Sequence, residues 1–393
     1  MHTIPSSART ACALAFAALL AAAPLTASAA DYKREVNMKR TTGIYPLTEL
    51  VEGADGRMVG TASQGDDHGG SVFRVDSFHH LTVLHAFPKD GSQGWQPNQV
   101  ILGSDGAYYG STSIGASLVT GTIYRLTPDG TYQTLHTFTE ESDGGYGFPS
   151  GPMVRDATGT LYVSLAAGGP HDNGAIARLA TDGTLTLLHA FAGGADGSLA
   201  IGGLTLGPDG RLYGTTRDDG AGSSGTVFTL ATDGSGYQVL HQFDANADGC
   251  DVEAPLAVGP DGALYGTTSN CGGTGFAGAL FRVTRDGATF GVVHKFTTTD
   301  PLGNFPAGGV SFGPDGTMYS ATPDGGAFGG GAVFKMSLSG TGTLMHSFRD
   351  YPSVTDGSRP FAAPTVSTTG AVWGTTFAGG LADLGTVYSI DHP

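Results

Sequence analysis

Gly203–Phe243, GLTLGPDGRLYGTTRDDGAGSSGTVFTLATDGSGYQVLHQF, reads as four short strands joined by glycine-rich turns. The first covers Leu204–Leu206, the second Arg211–Thr216, the third Thr226–Leu230 and the fourth Tyr237–Phe243. Asp209-Gly210 and Asp233-Gly234 stand between apolar runs. Such pairs signal hairpins, because glycine takes positive φ without steric cost.

The unit recurs along the chain. An Asp-Gly or Thr-Gly turn stands at 55–56, 105–106, 158–159, 209–210, 261–262, 315–316 and 369–370. A strand of the LYGTT type follows each, from Met58-Val59-Gly60-Thr61 to Val372-Trp373-Gly374-Thr375. A His-x-Phe element closes only six units, at His85, His136, His189, His241, His294 and His346, spaced 51 to 53 residues apart. The seventh unit stops after a third strand, Gly385–Ile390, while Arg34–Thr41 precedes the first unit and belongs to none. A ring closes if that N-terminal segment supplies the missing outer strand, which removes two free sheet edges. Four strands in each repeat of about 40–50 residues is the propeller pattern. The expectation is an all-β chain: one seven-bladed β-propeller over 31–393 with no interior boundary. Glycines inside the second strands, such as Gly214, Gly266 and Gly374, mark close backbone approach.

Composition agrees. Of 393 residues 65 are glycine, with no Gly-X-Y period, so repeated turns explain them and collagen does not. The net charge of −16 argues against nucleic acid and anionic membrane surfaces as partners. Met1–Ala30 has Arg9, an apolar run at Ala11–Leu20 and a small-x-small site at Ala27-Ser28-Ala29, the pattern of a cleaved secretory signal. No later apolar run is long enough to span a bilayer. The expected location is secreted or periplasmic. Cys12 leaves with the signal, so Cys250 and Cys271 remain as a pair in an oxidising compartment and are expected to form a disulfide.

The unit P…L…G-DG-LYGTT…GG…GTVF-L…DG…LH-F, best carried by Leu212–Thr216, Gly225–Phe228, Leu240–Phe243 and Leu264–Thr268, resembles the choice-of-anchor tandem repeat called the Gloeo/Verruco (GloVer) repeat. The similarity runs from about residue 46 to 390. It implies secreted or surface-exposed bacterial propellers without an established activity. Many such chains end in a sorting or anchoring segment, and none follows Ile390 here.

Candidate chemistry is sparse. The six His-x-Phe histidines sit one to a blade and cannot converge on one ion, so they are expected to be structural. His68 and His171 fall in expected loops beside Asp66, Asp67 and Asp172; the expectation is solvated histidines. Two G-x-G-x-x-G matches, at 220–225 and 273–278, precede strands rather than helices and carry no dinucleotide site. Asp244, Asn246, Asp248 and Asp251 alternate oxygen donors with Gly249 at the turn, a partial calcium loop. The twelfth position carries Pro255 instead of a glutamate. Calcium is the only cofactor the sequence suggests.

In an antiparallel blade, the loop between strands two and three shares a face with the link to the next blade. That face carries the long loops, where function sits on a rigid scaffold. By the repeat phasing it is rich in acids, opposed by Lys89, Arg217, Arg349 and Arg359. The leading expectation is a monomeric, non-enzymatic extracytoplasmic propeller binding a carbohydrate or protein partner on this face. The alternatives are a secreted hydrolase or lyase acting on a polysaccharide or small ester with a metal-assisted site, and a structural surface module. An enzyme should show one blade departing from the repeat with a buried acid, base or metal cluster. The sequence displays no such blade.

Overall fold

The structure is a computed structural model that describes residues 31–391, apart from 115–120, 140–146, 221, 272–274, 276 and 351–354. The secretory-signal segment 1–30 and the acids Glu140, Glu141 and Asp143 therefore lie outside the described residues. Seven sheets of antiparallel strands form a seven-bladed β-propeller. Blade four pairs Leu204–Leu206, Arg211–Thr216, Thr226–Ala231 and Gln238–Gln242 in chain order. Among the described residues the only helical element is the 3-10 turn Gly194–Asp196.

Ring closure follows the expected topology with different bounds. The outer strand of blade seven is Tyr32–Asn37, paired with Thr386–Ile390, rather than Arg34–Thr41. Pairing starts at Tyr32 because its ring is wanted at the blade interface, stacked 3.8 Å from His346. It ends at Asn37, whose side chain accepts the Leu381 N–H at 3.0 Å. Residues Lys39–Gly43 turn away into blade one. In each blade the outer strand shifts register by one residue against the third strand. The N-terminal strand reproduces this bulge between Arg34 and Val36. In the other blades the bulged residue is apolar, as with Leu240; in blade seven it is Glu35, buried and bonded to the Ser389 hydroxyl.

The core lies between blades. Seven buried apolar clusters each join two neighbours, and the set includes Leu384 and Val387 of blade seven against Met58 and Phe73 of blade one. The second-strand glycines make room for this core. A Cβ on Gly214 would lie 2.5 Å from the Phe228 ring carried by the paired third strand. Blade three inverts the sizes, setting Val163 opposite Ala177. Five blades set glycine opposite an aromatic ring, and blade six sets Ser320 opposite Phe334.

The repeated histidines hold the blades to one another. His189 meets Phe191 edge-on at 5.0 Å, stacks on Tyr237 of the next blade at 3.7 Å, and its Nε2 reaches Asp196 at 3.1 Å. His241 does the same with Phe243, Phe290 and Asp248, and His346 with Phe348, Tyr32 and Asp356. The expectation of structural histidines holds: His189, His241, His294 and His346 each take a linker aspartate as partner, and His85 takes Gln93.

Candidate ligand-binding site

Each blade begins with a linker residue on the long-loop face. At six of the seven this residue is left-handed without being glycine: Tyr45, Gln96, Leu199, Asp251, Phe305 and Arg359, with φ between 53° and 59°. A non-glycine residue in this region costs on the order of 1 kcal/mol or more. The hydrogen bonds say what offsets it. The Arg359 N–H donates to Gly330 of blade six at 2.8 Å, and its carbonyl accepts from Phe377 of blade seven at 3.0 Å. Tyr45 bridges Leu384 of blade seven to Ser63 of blade one in the same way. Leu199 links Asn173 to Arg217. The backbone clamps adjacent blades while the side chain is left to vary.

Three of these residues, from consecutive blades, line one cavity. Arg359, Tyr45 and Gln96 border a space of about 670 Å³ between blades seven, one and two on the long-loop face. Its wall also holds Gln64, Asn98, Ser113, Phe377 and Asp383. Tyr45 and Phe377 stack at 4.7 Å, and Phe361 meets Phe377 edge-on at 5.7 Å. Asn98 is fixed by the protein: its Nδ2 donates to Ser111 at 3.0 Å and to the Pro149 carbonyl at 2.9 Å, and its Oδ1 accepts from Ser113 at 3.1 Å. The arrangement can seat an amphipathic polar molecule, with an aromatic side and a hydrogen-bonding side.

Below the cavity runs the axial channel, a space of about 130 Å³ that shares Leu47, Thr48 and Asn98 with it. Blades three to seven present Gly151, Gly202, Ala254, Gly308 and Ala362 to the channel. Blade one instead presents Thr48 and Glu49, and blade two Asn98 and Gln99. Blades one and two thus depart from the repeat, and blade one does so with a partly buried acid. Burial pushes the Glu49 carboxyl up to about 7, against the opposing hydrogen bond that Gln99 donates at 3.3 Å. Glu253 also lines the channel, and burial raises it too while Arg217, 3.5 Å away, pulls the other way.

The acids singled out on this face are mostly occupied. Asp196, Asp248, Asp300 and Asp356 pair with the repeated histidines. Asp172 and Asp383 accept N–H bonds from Gly168 and Gly379 within their own loops. Of the calcium-loop residues, Asp248 faces His241 at 3.0 Å, Asp244 accepts from the Asn246 N–H at 2.8 Å, and Asp251 lies 3.7 Å from Arg217. Among the described residues no group of three or more acid, histidine or cysteine side chains is arranged to hold a metal ion. Cys250 and Cys271 are joined, their Cα atoms 5.3 Å apart, tying the linker into blade five to that blade's own long loop. His68 opens the strand His68–Val75 instead of lying in a loop, its Nδ1 2.8 Å from the Gly70 carbonyl, and His171 is exposed in blade three.

The opposite face is built from its turns. Asp209 caps its turn through Oδ1, while Oδ2 accepts from the Tyr213 hydroxyl at 2.7 Å and pairs with Arg285 at 2.7 Å. Asp105 and Asp261 form similar clusters with Tyr109 and Arg125, and with Tyr265 and Arg282. These ion pairs are structural.

The fold is a seven-bladed β-propeller with a cavity of about 670 Å³ on its long-loop face. Residues 24–151 and 148–388 match the Gloeobacter/Verrucomicrobia repeat, and the chain belongs to that family. No curated protein shows a matching sequence. Among solved structures, virginiamycin B lyase from Staphylococcus aureus is 13% identical, with 92% of this chain and 98% of that chain covered and a TM-score of 0.59. Oligogalacturonate lyase in complex with manganese is 12% identical, with 93% of each chain covered and a TM-score of 0.58. At these identities the likeness is one of fold.

Proposed function

We propose that this protein is an extracytoplasmic propeller that binds a polar ligand, without turnover, in the cavity between blades seven, one and two. The observation that carries this is the convergence of left-handed Arg359, Tyr45 and Gln96 on one cavity of about 670 Å³. That size lies within the usual range of small-molecule sites, about 300–1,000 Å³. The location outside the cytoplasm draws support from the Cys250–Cys271 bond and from the signal pattern of Met1–Ala30. A thermal-shift screen of a metabolite and oligosaccharide library tests the site. Ligands that raise the melting temperature of the parent should fail to do so for Phe377→Ala. Stabilisation that survives this substitution places binding elsewhere.

Glu49 favours a second reading, the hydrolase or lyase. An enclosed carboxyl pushed up to about 7 suits a general acid or base. Its only hydrogen-bond partner among the described residues is Gln99. Catalysis requires that a ligand found by the screen be consumed by the parent protein and left intact by Glu49→Gln.

A further inference from the structure

Polar groups that face a cavity without a partner in the protein are the ones left for a ligand. Among the described residues, the side chains of Gln64, Gln96 and Arg359 have no hydrogen-bond partner in the protein. They come from blades one, two and seven and flank the stacked Tyr45 and Phe377 rings. Primary amides both donate and accept, as sugar hydroxyls do. The rings offer an apolar surface of the kind the C–H face of a pyranose covers.

Charge narrows the class. Arg359 and Asp383 are the only charged side chains lining the cavity among the described residues, and +1 and −1 sum to zero. The chain as a whole carries −16, which opposes phosphate-bearing or polyanionic ligands. The linker aspartates that would attract a cation are held by histidines. We infer that the cavity is a binding site for a short neutral oligosaccharide, with Tyr45 and Phe377 as its stacking side and Gln64, Gln96 and Arg359 as its hydroxyl-reading side. This rests on the binding function proposed above.

The test is a microarray of neutral, uronate and amino-sugar oligosaccharides, followed by calorimetry on the hits. Neutral oligosaccharides should bind. Gln96→Ala and Phe377→Ala should each weaken them by about tenfold, the usual worth of a lost hydrogen bond or ring contact. Gln96 is exposed, so its variant separates lost recognition from lost folding. Affinity should stay constant when salt is raised to about 0.5 M, because no ion pair is formed. Binding confined to charged sugars, affinity that falls with salt, indifference to both substitutions, or no binding by any sugar would each overturn the inference. A non-sugar metabolite that loses binding with the same substitutions would sink the saccharide and keep the pocket. If nothing in either screen responds to them, both fall.

Discussion

Replacing Glu49 by glutamine should stabilise the protein in alkaline solution and leave it unchanged in acid. The carboxyl faces the axial channel, enclosed by the surrounding blades, with Gln99 as its hydrogen-bond partner and burial as the main cause of its raised pKa. Its folded-state value of about 7 lies above the ordinary 4.5. The folded protein therefore holds the proton more tightly than the unfolded chain. That contribution is fully present below about 4.5 and is lost as pH rises through about 7. The difference of 7 − 4.5, at about 1.4 kcal/mol per pH unit, sets a ceiling near 3 kcal/mol. Glu49 is only partly buried, and solvent screening reduces the figure, so about 1–2 kcal/mol is expected. Glutamine keeps an acceptor for Gln99 and carries no charge to bury. Equilibrium unfolding in guanidinium should show the variant matching the parent at about pH 4 and exceeding it at about pH 8.5. Equal stability at both pH values, or a variant weaker in alkali, would refute the reasoning about burial.

Other outcomes follow from the closure, the disulfide and the acidic loop. Tyr32→Ala removes the ring stacked on His346 and should cost about 3 kcal/mol in denaturant unfolding; a loss under about 1 kcal/mol would contradict closure through this strand. Reduction of Cys250–Cys271, whose residues are 21 apart, should lower stability by about 3 kcal/mol, and thiol titration of the unfolded, unreduced protein should find no free group. As a calcium loop, Asp244, Asn246, Asp248 and Asp251 would make saturating calcium raise the melting temperature, and Asp244→Ala would remove the rise. Asp244 is the residue to change because Asp248 is bound to His241, and its loss would disturb the blade interface with or without a metal. No shift with calcium in the parent protein discards the metal.

The fold was legible because each blade is built from nearby residues. Turn glycines, second-strand LYGTT segments and His-x-Phe elements recur at nearly constant spacing, and spacing is what a sequence displays. The missing fourth strand of blade seven pointed to the N-terminus, though not to Tyr32 as its first residue. That start depends on the partner His346, which no local pattern reveals. Charge counting could not show how the acids of the long-loop face are used. An aspartate such as Asp196 looks free in a sequence and is spent on His189 in the fold. The cavity went unseen for a related reason. It joins Arg359 and Phe377 to Tyr45 and Gln96 across the ring closure, and Arg359 and Gln96 lie 263 positions apart in the chain (359 − 96). One signal was available. Aligning the linkers shows Thr48-Glu49 and Asn98-Gln99 where Gly202-Gly203 and Gly308-Gly309 stand in blades four and six. Irregularity against a glycine background marked the sector that carries the site.

The closure strand also sets the order in which the ring can be completed. Tyr32–Asn37 leaves the ribosome before all seven blades, and its partner Thr386–Ile390 after the first six; the Lys33–Asp391 bond spans 358 positions. Blades one to six each pair within a single repeat and can form as they emerge. The seventh must wait for Thr386–Ile390, and until then two strand edges stay open to other molecules. The cavity straddles that seam, since its walls come from blades seven, one and two. The cavity is therefore completed only with the final seal, and a chain cut short just before Thr386 would keep blades one to six without it.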